Sequence, residues 1–532
     1  MRYLPFAVVI FLTIVLSALT MLHSGWWSTP LAVFALLTCM GCYDLIQVRH
    51  SILRSFPVIA HLRFMFELIR PELYQYFVES NTDGRPFNRD QRSLVYERSK
   101  NIEGLKPFGT ELDVYSGQYE WALHSIATHS KSKEHFRTMV GGAECSKPYS
   151  CSLLNISSMS FGAISPNAIM AMNKGAKKAG FAHWTGEGGF SPYHKKYGGD
   201  IVWQLGTGYF GCRNDDGTFS ADLYAEQAVD EQIKMIEIKI SQGAKPGHGG
   251  VLPAAKITPE IAATRKVPMG QDCLSPPGHS AFRTPRELCE WIQQLRELSG
   301  GKPIGFKLCL GMPHEFLAIC KAMIETQILP DFINVDGGEG GTGAAPLEFS
   351  NNMGTPLVEG LLFVHNALVG CSLRDKLKVA CAGKVTSASH VLRNLAIGAD
   401  WCNAARGFMM AVGCIQAQKC HTNTCPVGVA TQDPGRFRVL NVDDKGERVY
   451  RYHSNTMEAF SELVAAMGVD KPSELKPFHV TKRLDSCRVV TYQEAYNFLE
   501  DGAILNQTGD HPYFHNLWSQ ASAETFGVVT AN

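Results

Sequence analysis

The sequence predicts an α/β protein: a (β/α)8 TIM barrel with an N-terminal transmembrane helical hairpin and a helical C-terminal extension. From Cys151 to about Pro434, short β-rich runs alternate with segments of helical pattern, and eight βα units in succession favour a closed barrel over an open sheet. Glycine-rich turns close the late runs, where barrel loops commonly bind phosphate. Two long apolar runs precede all of this. The expected divisions are 1–46 for a membrane anchor, 47–150 for an extension packed on the barrel, 151–434 for the barrel and 435–532 for the tail.

The anchor comes first. The runs Pro5 to Leu22 and Trp26 to Cys42 are separated only by His23, Ser24 and Gly25, and each is about the 17 to 25 residues a bilayer-crossing helix needs. A signal peptide followed by an apolar core segment is the competing reading, but no small-residue cleavage site separates the runs. Arg49, Arg54, Arg63 and Arg70 follow the second run, while the loop between the runs has no Lys or Arg, so the positive-inside rule puts both ends in the cytoplasm. Trp26 and Trp27 would lie at the outer interface. The expectation is a hairpin in the inner (cytoplasmic) membrane that holds a cytoplasmic catalytic domain.

Composition bounds the rest. The chain has 532 residues, 45% hydrophobic and 19% charged, enough for one large core with additions. Lys+Arg and Asp+Glu both number 50, so no global field draws the protein to nucleic acid. Most of the 16 cysteines, such as Cys151, Cys309, Cys320 and Cys381, sit in apolar runs, as free core thiols in a reducing compartment do.

From Ser51 to about Pro148 the chain mixes amphipathic stretches (LRFMFELIRPELYQYF) with turn-rich ones (NTDGRPFNRDQR) and reads as a preface packed on the main domain. The expected barrel strands are LLNISSM, FAHWTG, MIEIKIS, DCLSP, IGFKLC, FINVDGG, KLKVACAG and DWCNAARG. Helix signals lie between them: Pro166 in SPNAIMAMNKGAKKAG, Pro285 in TPRELCEWIQQLREL, and Ser387 to Ala396. Beyond Pro434 the pattern is mostly helical and polar, as in SNTMEAFSELVAAM and TYQEAYNFLED.

Three constellations carry chemistry. In GCIQAQKCHTNTCPVG, Cys414, Cys420 and Cys425 fall within twelve residues after the last strand, and thiolates on a compact loop are good iron ligands. Three cysteines without an obvious fourth favour a three-iron cluster; three buried thiols, or zinc with His421, are the alternatives. Gly383, Lys384, Arg406 and Gly407 sit where an FMN phosphate would lie after the late strands, although such loops also serve as plain turns. Lys239, Gln242 and Lys245 in KISQGAKPGHGG, with Arg265 and with Glu187 in TGEGG, could clamp a dicarboxylate; solvated lysines are the bland alternative. GTGYFG from Gly206 matches the dinucleotide pattern, but a turn signal follows where a helix should begin.

SSMSFGAISP, TGEGG, IKISQGAKPGHGGVLP, LSPPGH, DGGEGGTGAAP and CHTNTCPVGVATQ together resemble the FMN-binding synthase domain of glutamate synthase, over roughly Cys151 to Gln432. With NTDGRPFNRDQRSLVYERS added, the chain resembles stand-alone FMN-binding glutamate synthase family proteins. The resemblance implies an oxidoreductase acting on CH–NH2 donors, in which Cys414, Cys420 and Cys425 ligate a [3Fe-4S] cluster. It implies that Lys239, Gln242, Lys245 and Arg265 surround 2-oxoglutarate, and that Glu187, Lys245 and Lys307 take part in catalysis with Lys307 near the isoalloxazine ring. Ser157, Ser158, Lys307, Asp336, Gly337 and Gly338 would join Gly383, Lys384, Arg406 and Gly407 around FMN. Electrons from a donor such as ferredoxin would pass through the cluster to FMN, and hydride would reduce the imine of 2-oxoglutarate to L-glutamate. The sequence departs from full glutamate synthases in carrying no glutaminase domain and in having His248 where their loop usually has a glutamate. The amine would come from free ammonia, a small amine or a separate glutaminase. An N-substituted glutamate synthase, or a membrane-bound flavin and iron-sulfur electron carrier, are the other readings.

Overall fold

Eight parallel strands close into a barrel: β1 (Leu154–Ile156), β2 (His183–Trp184), β3 (Ile201–Leu205), β4 (Ile233–Lys239), β5 (Ile304–Leu308), β6 (Phe332–Asp336), β7 (Lys378–Ala382) and β8 (Trp401–Ala404). β8 returns to pair with β1, with Asn403 opposite Asn155. This is a computed structural model, and it describes residues 2–23, 25–102, 104–132 and 136–529. Met1 and Ser24 of the expected anchor, and the last three residues of the expected tail, lie outside the described residues.

Strands enclosed on both faces read as continuous apolar runs, and β3 (IVWQL) and β5 (IGFKL) are buried at every position. The helices obey the expected start signals. In α4 (Pro166–Ala179) the Ser165 hydroxyl accepts from Ala168 N at 3.2 Å, and Gly180 ends the helix at φ 68°. α5 (Pro285–Leu298) opens on a Thr284/Glu287 capping box, and α7 (Ala388–Ala396) on Ser387. α6 (Leu357–Gly370) lies between β6 and β7.

Two corrections follow. DCLSP is not a barrel strand: Cys273–Leu274 pairs antiparallel with Val251–Leu252 in a small ribbon outside the barrel. The missing strand is β3, which the sequence reading passed over although it directly precedes GTGYFG. The tail is also less helical than expected. α8 (Val442–Ala466) contains SNTMEAFSELVAAM, but Val480–Arg483 and Val489–Thr491 form a hairpin that pairs with Glu120–Ala122, and TYQEAYNFLED holds only the short helix Tyr492–Ala495.

A hairpin of Arg137–Val140 and Tyr149–Ser152 closes the N-terminal end of the barrel. Its Val140, Tyr149 and Cys151 join Val202, Met235, Phe332 and Trp401 in one buried cluster. With that end sealed by apolar side chains, the C-terminal mouth is left for polar groups. All sixteen cysteines are free, and Cys151, Cys309, Cys320 and Cys381 are buried, as their apolar contexts predict.

The chain divides into two compact units, Met1–Asp90 and Gln91–Asn532, so that the stretch 47–150 is shared between them. The first unit contains the apolar helices α1 (Leu4–Leu22) and α2 (Ser28–Ile46), which pack together with Thr13 Oγ1 2.8 Å from Thr38 Oγ1. Both α1 and the segment Gly25–Ile46 are long and apolar enough to cross a membrane. A third helix, α3 (Ala60–Leu73), continues into a turn of π-helix at Tyr74–Val78.

Candidate active site

Most site residues expected from the sequence lie at the C-terminal ends of the barrel strands or within a few residues beyond them, while Arg265 ends the helix Pro259–Arg265 and Cys414, Cys420 and Cys425 follow the helix Arg406–Ala411. Lys239 ends β4, and its ammonium sits 2.9 Å from Glu187 Oε2, contributed by the loop after β2. Glycines wall in this carboxylate. A Cβ on Gly250 would lie 2.4 Å from Oε1 and one on Gly206 2.8 Å from Oε2. Burial alone would raise the Glu187 carboxyl, but the Lys239 ammonium, with Arg265 and Lys245 beyond it, outweighs burial and holds it below its ordinary value.

Arg265 closes the helix Pro259–Arg265 and is buried. Its Nη2 donates to Phe161 O at 2.8 Å, its guanidinium lies 4.9 Å from the Phe210 ring centroid, and its buried Nε has no protein partner. Gln242 Nε2 is likewise buried and unpartnered. Lys245 is buried, which lowers its ammonium from the ordinary value even though Glu187 opposes the shift. One cleft is lined by Glu187, Lys245 and Arg265 together with Lys256, Cys420 and His421. His248 faces elsewhere: its ring packs edge-on to Phe349 at 5.3 Å.

A second group gathers at the ends of β5 to β8. Lys307 lies 3.6 Å from Asp336 Oδ2, which also accepts from Gly243 N at 3.0 Å. The two loops meet so closely that a Cβ on Gly243 would lie 1.7 Å from Gly337 O. Gly383 and Lys384 follow β7, and Arg406 and Gly407 open the short helix Arg406–Ala411 after β8, with Arg406 Nη2 donating to Glu339 O at 2.8 Å. At Gly337 an added Cβ would lie 2.4 Å from the Glu339 carboxylate, and at Gly383 3.1 Å from Leu357, so both turns pack closely against the start of α6 and Glu339. Ser157 and Ser158 follow β1, where Ser158 Oγ accepts from Gln204 Nε2 at 2.7 Å.

Cys414, Cys420 and Cys425 lie on the loop after this helix. Burial pushes the Cys414 thiol up to about 12, with the other two thiols adding to the effect, and raises Cys420. Lys256 carries a buried ammonium that donates to Cys420 O at 2.7 Å and is felt by Cys420 and Cys425, while Tyr96 Oη donates to Cys414 O at 2.8 Å. Among the described residues, no three His, Cys, Asp or Glu side chains converge as a metal-binding set.

The sequence reading missed a polar network inside the barrel. Glu237 is fully buried and accepts from Trp184 Nε1 at 3.0 Å, Gln204 Nε2 at 2.6 Å and Asn334 Nδ2 at 2.8 Å. Burial raises its carboxyl, while Lys307 and the three donors oppose that shift. The alternation of Glu237 with Lys239 in IEIK was the available signal, since alternate strand residues share a face. Nothing local to Lys256 distinguishes it in sequence.

A closed parallel (β/α)8 barrel with buried cations and glycine-rich turns at the C-terminal ends of its strands has the architecture of an α/β-barrel enzyme. The family described as the conserved region in glutamate synthase matches residues 124–470, and the chain belongs to that family. It is 34% identical over 523 residues to the glutamate synthase large subunit-like protein YerD of Bacillus subtilis, covering 91% of this chain and 96% of that one. It is also 34% identical over 322 residues to the archaeal glutamate synthase [NADPH] of Archaeoglobus fulgidus, and spans 60% of the length of each. Among solved structures, a double mutant of flavocytochrome b2 with pyruvate bound aligns over 84% of this chain and 91% of its own, at 14% identity and a TM-score of 0.42.

Proposed function

We propose that the protein is an FMN- and iron-sulfur-dependent oxidoreductase that reductively aminates 2-oxoglutarate to L-glutamate. The observation that carries this is the cleft in which Lys245 and Arg265 stand beside the Glu187–Lys239 pair. Two buried cations suit two substrate carboxylates, and the unpartnered Arg265 Nε and Gln242 Nε2 are donors for an oxygen-rich ligand. Glu187, kept ionised by its neighbours, can hold an ammonium or iminium N–H, and the Lys239 ammonium can return a proton as the carbonyl oxygen leaves as water.

Ser157, Ser158, Asp336, Gly337, Gly338, Gly383, Lys384, Arg406 and Gly407 would hold FMN, which supplies the hydride when bound; the glycine-rich turns and the cation at Lys307 suit it. Lys307, flanked by Asp336 and Glu237, is fixed in place to stabilise negative charge. Cys414, Cys420 and Cys425 would hold the [3Fe-4S] cluster, and the Lys256 ammonium beside the thiols suits an anionic group there. Ferredoxin is the proposed electron donor, and a separate glutaminase or free ammonia the amine source. The length and exposure of α1 and α2 support an anchor in the cytoplasmic membrane.

The test is anaerobic reduction of the purified protein, then mixing with 2-oxoglutarate and ammonium while flavin absorbance and glutamate are followed. Flavin reoxidation with glutamate formed is expected. A flavin that stays reduced overturns the reading, and reoxidation only with a small primary amine would make the enzyme an N-substituted glutamate synthase.

A further inference from the structure

The stretch LRFMFELIRPELYQYF has no part in the chemistry above, and its side chains are largely uncovered. Leu62, Met65, Phe66, Ile69 and Leu73 recur at intervals of three and four on α3, so they share one face, and Tyr76 and Phe77 extend the series into the following turn. All seven are exposed, from 38% at Ile69 to 82% at Phe77. Arg63, Glu67 and Arg70 form a charged strip that borders the stripe along one side, with Arg63 Nε 3.0 Å from Glu67 Oε1. An apolar stripe of this length on a folded unit marks a contact surface.

The start of α3 is tied to the end of α2. Asp44, fully buried on the last turn of α2, accepts from Val58 N at 2.9 Å and lies 2.9 Å from His61 Nε2 in the first turn of α3. The stripe therefore begins at the level where the second apolar helix ends. Arg49 and Arg54, in the short connection, add cations at that level.

We infer that α3 and the turn after it lie in the plane of the cytoplasmic bilayer surface, with the Leu62–Phe77 stripe sunk to the boundary of acyl chains and anionic headgroups and with Arg63 and Arg70 toward water. This rests on the membrane anchor proposed above. A helix with an apolar stripe bordered by cations binds such an interface through buried apolar area plus attraction to anionic lipid. The Asp44–His61 contact fixes its depth, so the helix forms a collar at the base of the hairpin.

The experiment uses the full chain in vesicles of phosphatidylethanolamine and phosphatidylglycerol, with the photo-crosslinker benzoylphenylalanine replacing one residue at a time. Met65, 45% exposed, tests the stripe, Arg63, two residues away and so on the far side of the helix from it, tests the charged strip, and Phe11, which is 64% exposed on α1, tests the anchor. Lipid adducts at positions 11 and 65, with a yield at 65 several-fold above that at 63, are expected. Adducts at 11 with none at 65, equal yields at 65 and 63, or crosslinks from 65 to protein, whether to the barrel or to a second copy, overturn the inference and leave the anchor standing. No lipid adduct at 11 overturns the anchor and this inference together. Because position 65 is exposed, the replacement leaves core packing intact; a labelled chain that keeps its thermal transition confirms this.

Discussion

Glu187 shows how one carboxyl can link stability to chemistry. Its folded value is depressed by Lys239, Arg265 and Lys245 against the opposing effect of burial. Stability from such a group is complete above the unfolded carboxyl value, about 4.3, and is lost as pH falls through the lower folded value. Wild type should therefore lose more urea stability than Glu187→Gln between about pH 5 and pH 3, and parallel losses in the two proteins would refute the ion-pair account. Glu237 makes a different prediction. Replacing it with Leu strands the Trp184, Asn334 and Gln204 donors that now point at it and leaves Lys307 without its inner partner. With each stranded buried donor costing about 1–3 kcal/mol, the denaturation midpoint should report a loss of at least about 3 kcal/mol.

The mouth of the barrel depends on loops from different strands meeting without side chains between them. Gly243→Ala would drive a Cβ into Gly337 O, 1.7 Å away, and so push apart the loops after β4 and β6. A stability loss of about 2 kcal/mol, with less FMN retained on purification, is expected, and full flavin content in the variant would mean the two loops do not form one cradle. In the loop after β8, Cys420→Ser should abolish bound iron while leaving the thermal transition in place. Unchanged iron content would remove Cys420 from the ligand set. β3 (IVWQL) is as apolar as its neighbours and fully buried, whereas Cys273 and Leu274 of DCLSP pair in a two-stranded ribbon outside the barrel.

The two compact units make separate predictions about the whole chain. The barrel unit, Gln91–Asn532, has its own core, its own sealed N-terminal end and every candidate site residue. A variant beginning at Gln91 should fold with a thermal midpoint close to that of the full chain and stay in the supernatant after ultracentrifugation, while the full chain sediments with membranes. Aggregation of the shortened chain would show that the barrel needs the first unit for folding.

How much could be read without coordinates depended on how local the signal was. Seven of the eight barrel strands, the caps at Ser165, Thr284 and Ser387, and the apolar pair α1 and α2 were legible, because β-rich alternation, capping chemistry and bilayer-length hydrophobicity are each written within a few consecutive residues. The proposed clamp was legible as residue types, Glu187 after β2 and Lys239, Gln242, Lys245 and Arg265 at and after the end of β4. Its geometry was not: the 2.9 Å approach of Lys239 to Glu187, the glycine wall around that carboxylate and the buried Glu237 network join residues from different strands. The sequence by itself determined the barrel class, the apolar helices and the inventory of cations, carboxylates and thiols. Only the tertiary structure decided which of them meet, because closing a sheet on itself brings together side chains whose separation along the chain carries no distance information.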